Sequence, residues 1–253
     1  MVSDTVSKVV LITGSLSDIG CATAMAFAKG GYGVVLNHRH SDERARKFAD
    51  LLLGKGGAKQ VEVIRADVRE RDEVKAMFEQ AWQVCGRVDV LINNAGINLD
   101  RSFIEMSDEE WDTVSDTILK GTFMCSQEYA RRYNGSGGNI INIGAITGLK
   151  GRMNGANYCS ARAGVLVLTK CMALELAPRI RVNTVTPGRI DTEEVRERYK
   201  LDDPKNKSRL EQDIPLSRLG TPDEVAGTIL YLVSSGQYIT GQNFIVDGGL
   251  FMR

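Results

Sequence analysis

The sequence predicts an α/β fold: a Rossmann-like, doubly wound parallel sheet of seven strands flanked by helices, in a single domain over residues 1–253. Three observations predict it. Short β-branched runs alternate with longer segments of helical period. Several of the short runs are apolar almost throughout, which suits strands buried on both faces. The 253 residues hold 26 Gly against 5 Pro, the mark of many tight strand-to-helix turns and not of a disordered or collagen-like chain. That length is enough for one large domain with a sizeable core.

In chain order, the strand candidates are 8–13, 33–39, 61–67, 88–93, 139–143, 181–186 and 243–246. Between them, helical periodicity covers 19–29, 42–53, 70–85, 108–131, 156–176 and 222–233. No repeat, low-complexity tract or linker divides the chain. One segment differs: residues 191–213 carry 14 charged residues in 23 positions, with few apolar ones such as Val195, Leu201 and Leu210. It reads as a solvated excursion between core elements, or as a mobile lid over a site.

Lys plus Arg and Asp plus Glu are 32 each. A balanced chain lacks the basic excess that phosphate-backbone binding favours, so nucleic acid is not an expected partner. The 5 cysteines (Cys21, Cys85, Cys125, Cys159, Cys171) are scattered, with no Cys-x-x-Cys pair. With no leader pattern in residues 1–8, they read as reduced thiols of a cytoplasmic protein. No apolar run reaches the roughly 18 residues of a membrane span, so no membrane partner is expected.

The first strand runs into Thr13-Gly14-Ser15-Leu16-Ser17-Asp18-Ile19-Gly20 and then a helix. Such a turn offers backbone N–H groups and a helix dipole to a pyrophosphate. It resembles the Thr-Gly-x-x-x-Gly-Ile-Gly of the short-chain dehydrogenases/reductases, and further marks follow in order. They are Asp67-Val68, Asn93-Asn94-Ala95-Gly96, Tyr158 in Asn157-Tyr158-Cys159-Ser160, Pro187-Gly188 and Asp247-Gly248-Gly249. The resemblance spans nearly the whole chain and leans to the 3-oxoacyl-carrier-protein reductase branch. It implies a nucleotide site of Gly14, Asp18, Ile19, Gly20, Arg39, Asp67, Val68, Asn94, Ala95, Gly96, Pro187 and Gly188.

The pattern is broken at four positions. The family's middle glycine is Asp18 here, whose carboxylate would repel a pyrophosphate or cap the helix itself. The family's proton donor is present as Tyr158, but four residues on stands Arg162 in place of Lys. The i,i+4 spacing keeps that charge on the tyrosine's face, although a planar guanidinium does not reproduce ammonium bonding. The family's serine is Ala145 and its water-anchoring asparagine is Ile118. Neither side chain forms a hydrogen bond. Loss of one oxyanion donor typically costs ~10²–10³ in rate, and a misplaced acid/base system ~10²–10⁴.

Asn37 and Arg39 end the second strand, where an acid would grip an NAD ribose; none is present. Arg39 favours the 2′-phosphate of NADP, or is a solvated strand-end arginine. His38 and His40 share a strand face, but without a Cys or carboxylate cluster no metal site is expected. The resemblance therefore implies a catalytically defective subunit with no nucleotide of its own. Such a chain would support an active homologue on 3-hydroxyacyl or 3-oxoacyl thioesters, in a hetero- or homotetramer joined through long helices and the last helix and strand. The partly apolar tail, residues 250–253, suits such an interface. The alternative is a divergent NADP(H)- or NAD(H)-dependent ketoreductase that works with Tyr158 and Arg162.

Overall fold

A computed structural model describes residues 7–252; residues 1–6 of the leader reading and Arg253 of the tail lie outside them. All seven expected strands form: β1 (Val9–Ile12), β2 (Gly33–His38), β3 (Val61–Arg65), β4 (Val90–Asn93), β5 (Gly138–Ile143), β6 (Ile180–Pro187) and β7 (Asn243–Val246). They make one sheet in the order β3-β2-β1-β4-β5-β6-β7, with every neighbouring pair parallel. The order reverses between β1 and β4, and a crevice opens at the carboxyl ends of strands at such a point.

Alternation along each strand sends successive side chains to opposite faces. Val10 and Ile12 of β1 pack with α1 (Asp18–Lys29), α2 (Asp42–Gly54) and α10 (Pro222–Ser234), through residues such as Phe27, Leu52 and Ile229. Val9 and Leu11 face α3 (Arg71–Cys85), α5 (Gly121–Arg132) and α7 (Ala156–Leu176), through Phe78, Tyr129 and Ala173. Burial on both faces explains why central strands such as β1 and β4 are apolar almost throughout.

Two helical expectations change. The helix expected over 108–131 is divided into α4 (Asp108–Ser115), a π-helical turn (Asp116–Lys120) and α5. The turn is closed by the Gly121 amide on the Asp116 carbonyl, one residue wider than an α-helical bond. A short α6 (Thr147–Lys150) follows β5.

The excursion at 191–213 is largely solvent-exposed, as expected, and it is helical. It forms α8 (Glu193–Tyr199) and α9 (Pro204–Gln212), capped by the side chains of Thr192 and Asp203, with Pro204 at the start of α9. Its few apolar residues explain the folding: Leu210 packs with Ile214 and Leu219, and Val195, Leu201 and Leu250 close around them. No helix among the described residues is long and apolar enough to cross a membrane.

Candidate active site

The turn between β1 and α1 is held by the asparagine motif at the end of β4. The Asn94 side chain donates to the carbonyls of Thr13 (3.0 Å) and Gly14 (2.8 Å) and to Ser17 Oγ (3.1 Å). Thr13 Oγ1 in return accepts the amides of Asn94 and Ala95. Gly14 has φ +57°, and a Cβ there would lie 2.8 Å from Ala95 Cα, so this turn requires glycine. Asn37 is buried beneath it, accepting the Gly14 amide and donating to the carbonyls of Ala66 and Ile64. That commits Asn37 to the backbone; it does not select between ribose and phosphate.

Asp18 does not cap its own helix. Ser17 does, its Oγ accepting the Gly20 amide. Asp18 is the first residue of α1 and turns outward, where its Oδ2 accepts the backbone amide of Glu193 at 2.7 Å. The position that the family fills with glycine therefore carries a carboxylate bridging to α8. Ile19 lines the cleft behind it, with Ser17, Asn94, Pro187, Gly188, Thr192 and others; the cleft encloses about 500 Å³.

At the far end, Tyr158 and Arg162 lie on α7 and share one face. Arg162 is 6% exposed and makes no close ion pair among the described residues, although its charge reaches Glu194. Its guanidinium donates to the Ile143 carbonyl and lies 5.2 Å from the Tyr158 ring centre. It also presses on Gly96, where a Cβ would sit 2.4 Å from Nη2. A buried cation of this kind is held by carbonyl and π contacts in place of an ion pair. The Tyr158 ring carries a second guanidinium, Arg152, at 5.1 Å. Ala145 follows β5 beside them. Ile118 lies in the π-helical turn, fully buried among Val114, Ala161 and Val165. A wider helix turn is present there, with an apolar side chain at position 118.

The adenosine end is built differently. Arg39, Asp67, Val68, Ala95 and Gly96 line a separate cavity of about 340 Å³ with His40 and Arg44. Asp67 forms a two-pronged pair with Arg69 and lies 3.7 Å from Arg39. Burial pushes its carboxyl up, but the Arg69 bonds and the nearby charges prevail, and its pKa falls below the usual value. His38 is buried against Ser41 and Asp42, and burial lowers its pKa. Among the described residues, no group of three His, Cys, Asp or Glu could hold a metal.

Several residues of the site were not singled out in the sequence. Arg152 pairs with Asp100 and Asn98. Arg198 of α8 pairs with Asp100 and Glu194, and Asn98 donates to Glu194. Loss of hydration raises the pKa of both Asp100 and Glu194, with Arg152 opposing in each case. The signal for α8 was legible as the i,i+4 pair Glu194–Arg198; its partners outside the segment were not.

The residues present do not fit a whole dinucleotide. A cavity with arginines meets the adenosine end. On the rim of the glycine turn, however, stands the Asp18 carboxylate, and Arg162, in place of the family's lysine, is bonded to the Ile143 carbonyl.

The parallel sheet, its crevice and the glycine turn define the nucleotide-binding α/β class of folds. A family profile described as Enoyl-(Acyl carrier protein) reductase matches residues 14–251. The 3-oxoacyl-[acyl-carrier-protein] reductase of Synechocystis sp. is 39% identical over 97% of this chain and 98% of its own. Its Staphylococcus epidermidis counterpart is 40% identical over 97% of this chain and 100% of its own. A short-chain type dehydrogenase/reductase from Mycobacterium marinum superposes with a TM-score of 0.89 at 38% identity, covering 98% of this chain and 97% of that one. The chain belongs to the short-chain dehydrogenase/reductase family, whose members generally bind NAD(P)(H).

Proposed function

We propose that this chain is a non-catalytic subunit of the family, which supports an active NAD(P)-dependent relative in a cytoplasmic hetero-oligomer. The observation that carries this reading is Arg162. Its guanidinium is buried, bonded to the Ile143 carbonyl and set close against Gly96, which commits it to the fold. Ala145 and Ile118 supply no hydrogen bond for a carbonyl oxygen or a relay water. The fold around these positions is intact, which suits a subunit valued for its surfaces. The similarity to 3-oxoacyl-[acyl-carrier-protein] reductases supports a partner that acts on 3-hydroxyacyl or 3-oxoacyl thioesters, within a tetramer.

A second reading has one observation in its favour: Arg162 stays over the Tyr158 ring, in a chain similar to 3-oxoacyl-[acyl-carrier-protein] reductases. In that case the chain is a divergent NADP(H)-dependent ketoreductase. Calorimetric titration of the isolated chain with NADPH and NADH decides between them. The first reading expects no binding in the micromolar range, and recovery of the chain as a mixed oligomer with an active relative from its source. Micromolar binding, with turnover abolished in Tyr158→Phe, establishes the second.

A further inference from the structure

The strap between β6 and α10 is secured in two different ways. Its ends are fixed by backbone: Ile190 bridges to Gly220, and the Leu216 amide donates to the Gly248 carbonyl. Its second helix, α9, sits on the small apolar cluster of Leu210, Ile214 and Leu219. The first helix, α8, has no fully buried side chain. Val195 packs at the edge of that cluster, and the rest of the helix's hold over the cleft is polar: Asp18 to the Glu193 amide, Arg198 to Asp100, and Glu194 to Asn98.

These ties differ in kind. Arg198 and Asp100 form a part-exposed ion pair that orders a long side chain. The Asn98 contact is long, at 3.3 Å. The Asp18 contact is short and charge-assisted, joins residues 175 apart in the chain, and satisfies an amide that the first turn of α8 leaves without a helical acceptor. It also comes from the rim of the turn that, in this fold, faces an anion.

We propose that Asp18 is a built-in anion that latches α8 over the cleft and holds the strap in place. A glycine at this position offers no acceptor, so α8 then depends on its other ties or on a ligand. The carboxylate replaces that dependence with a permanent one. The latch stands apart from the loss of chemistry at Arg162, and the experiment separates the two.

Amide hydrogen exchange on the full chain tests it, with Asp18→Gly, Asp18→Asn and Glu193→Pro. Proline suits the first helical position, and Thr192 before it is already extended (φ −115°, ψ 158°), as a residue preceding proline must be. The last variant thus removes the donor and leaves the Asp18 charge in place. Exchange over 194–199 is expected to rise about tenfold in Asp18→Gly and Glu193→Pro, and less in Asp18→Asn, which keeps a neutral acceptor. Exchange in α9 and β6 is expected to stay at the wild-type rate. Unchanged exchange over 194–199 in both Asp18→Gly and Glu193→Pro overturns the latch. So does an equal rise in α9 and β6, which would mean general loosening. If NADPH slows exchange over 194–199 in the wild type, the non-catalytic reading fails while the latch is still judged by its own variants.

Discussion

The two ends of the cleft have been treated differently. Around β1 and β4, nearly every family residue is present, and each is bound into backbone: Asn94 to the turn carbonyls, Gly14 against Ala95, Asn37 beneath both. Around β5 and α7, the residues that would act on a substrate are replaced: Ala145, Ile118 and Arg162. The difference teaches that a motif residue persists where the fold needs it. The conserved-looking turn is thus poor testimony for nucleotide binding, since its parts have structural work at this end whether or not a ligand arrives.

Variants ordered by expected size sharpen that contrast. The largest effect belongs to Gly20→Ala, because a Cβ there meets the Gly14 carbonyl and Ser15 backbone at 2.8 Å, and backbone cannot step aside. Urea unfolding should show a loss of about 3 kcal/mol. Next is Ile118→Asn, the change that restores the family's relay residue: an amide placed among Val114, Ala161 and Val165 should cost about 2 kcal/mol. A cost near zero would mean that water reaches the π-helical turn. Asn94→Ala strands two turn carbonyls and should cost a similar ~2 kcal/mol.

Gly96→Ala is gentler. Its clash is with the far end of Arg162, which can be pushed off the Ile143 carbonyl at about 1 kcal/mol. In an Arg162→Ala background that cost should vanish, and a double-mutant cycle measures the coupling. If the cost is additive, Arg162 is not wedged there.

The smallest effect is in acid. Asp67, with a lowered pKa, contributes stability that is present above its ordinary value and lost as pH falls through the depressed one. Asp100, with a raised pKa, has the opposite sign: its burden at neutral pH is relieved as pH falls through the raised value. Asp67→Asn should therefore flatten the acid loss of stability, and Asp100→Asn should steepen it. Urea midpoints measured from neutrality down to the ordinary carboxylate range would show both.

The seven strands were legible because burial on both faces leaves an unmistakable apolar run. The division of helix 108–131 was not: a π-helical turn preserves apolar spacing closely enough that Val114, Ile118 and Tyr129 read as one stripe. The helices α8 and α9 escaped periodicity because their folding rests on three or four apolar contacts amid charge, although Thr192 and Asp203-Pro204 were starts that capping rules recognise. At the site, identity was readable and connection was not. Asp18 was visible as an intrusive carboxylate, yet its partner lies 175 residues away. Asn37 looked like a selector of ribose or phosphate, because sequence gives no sign that Ala66 and Ile64 already hold it.

The π-helical turn at Asp116–Lys120 also sets the angular phase of everything after it in that helix. One residue of an α-helix corresponds to about 100° of rotation. Winding the same residues as a regular α-helix would swing α5 by that amount and carry Met124, Cys125 and Tyr129 away from the sheet. The Tyr129 hydroxyl, which donates to the Asp89 carbonyl beneath β4, would lose its acceptor. A local widening beside Ile118 is thus the alignment mark by which a whole helix finds its face.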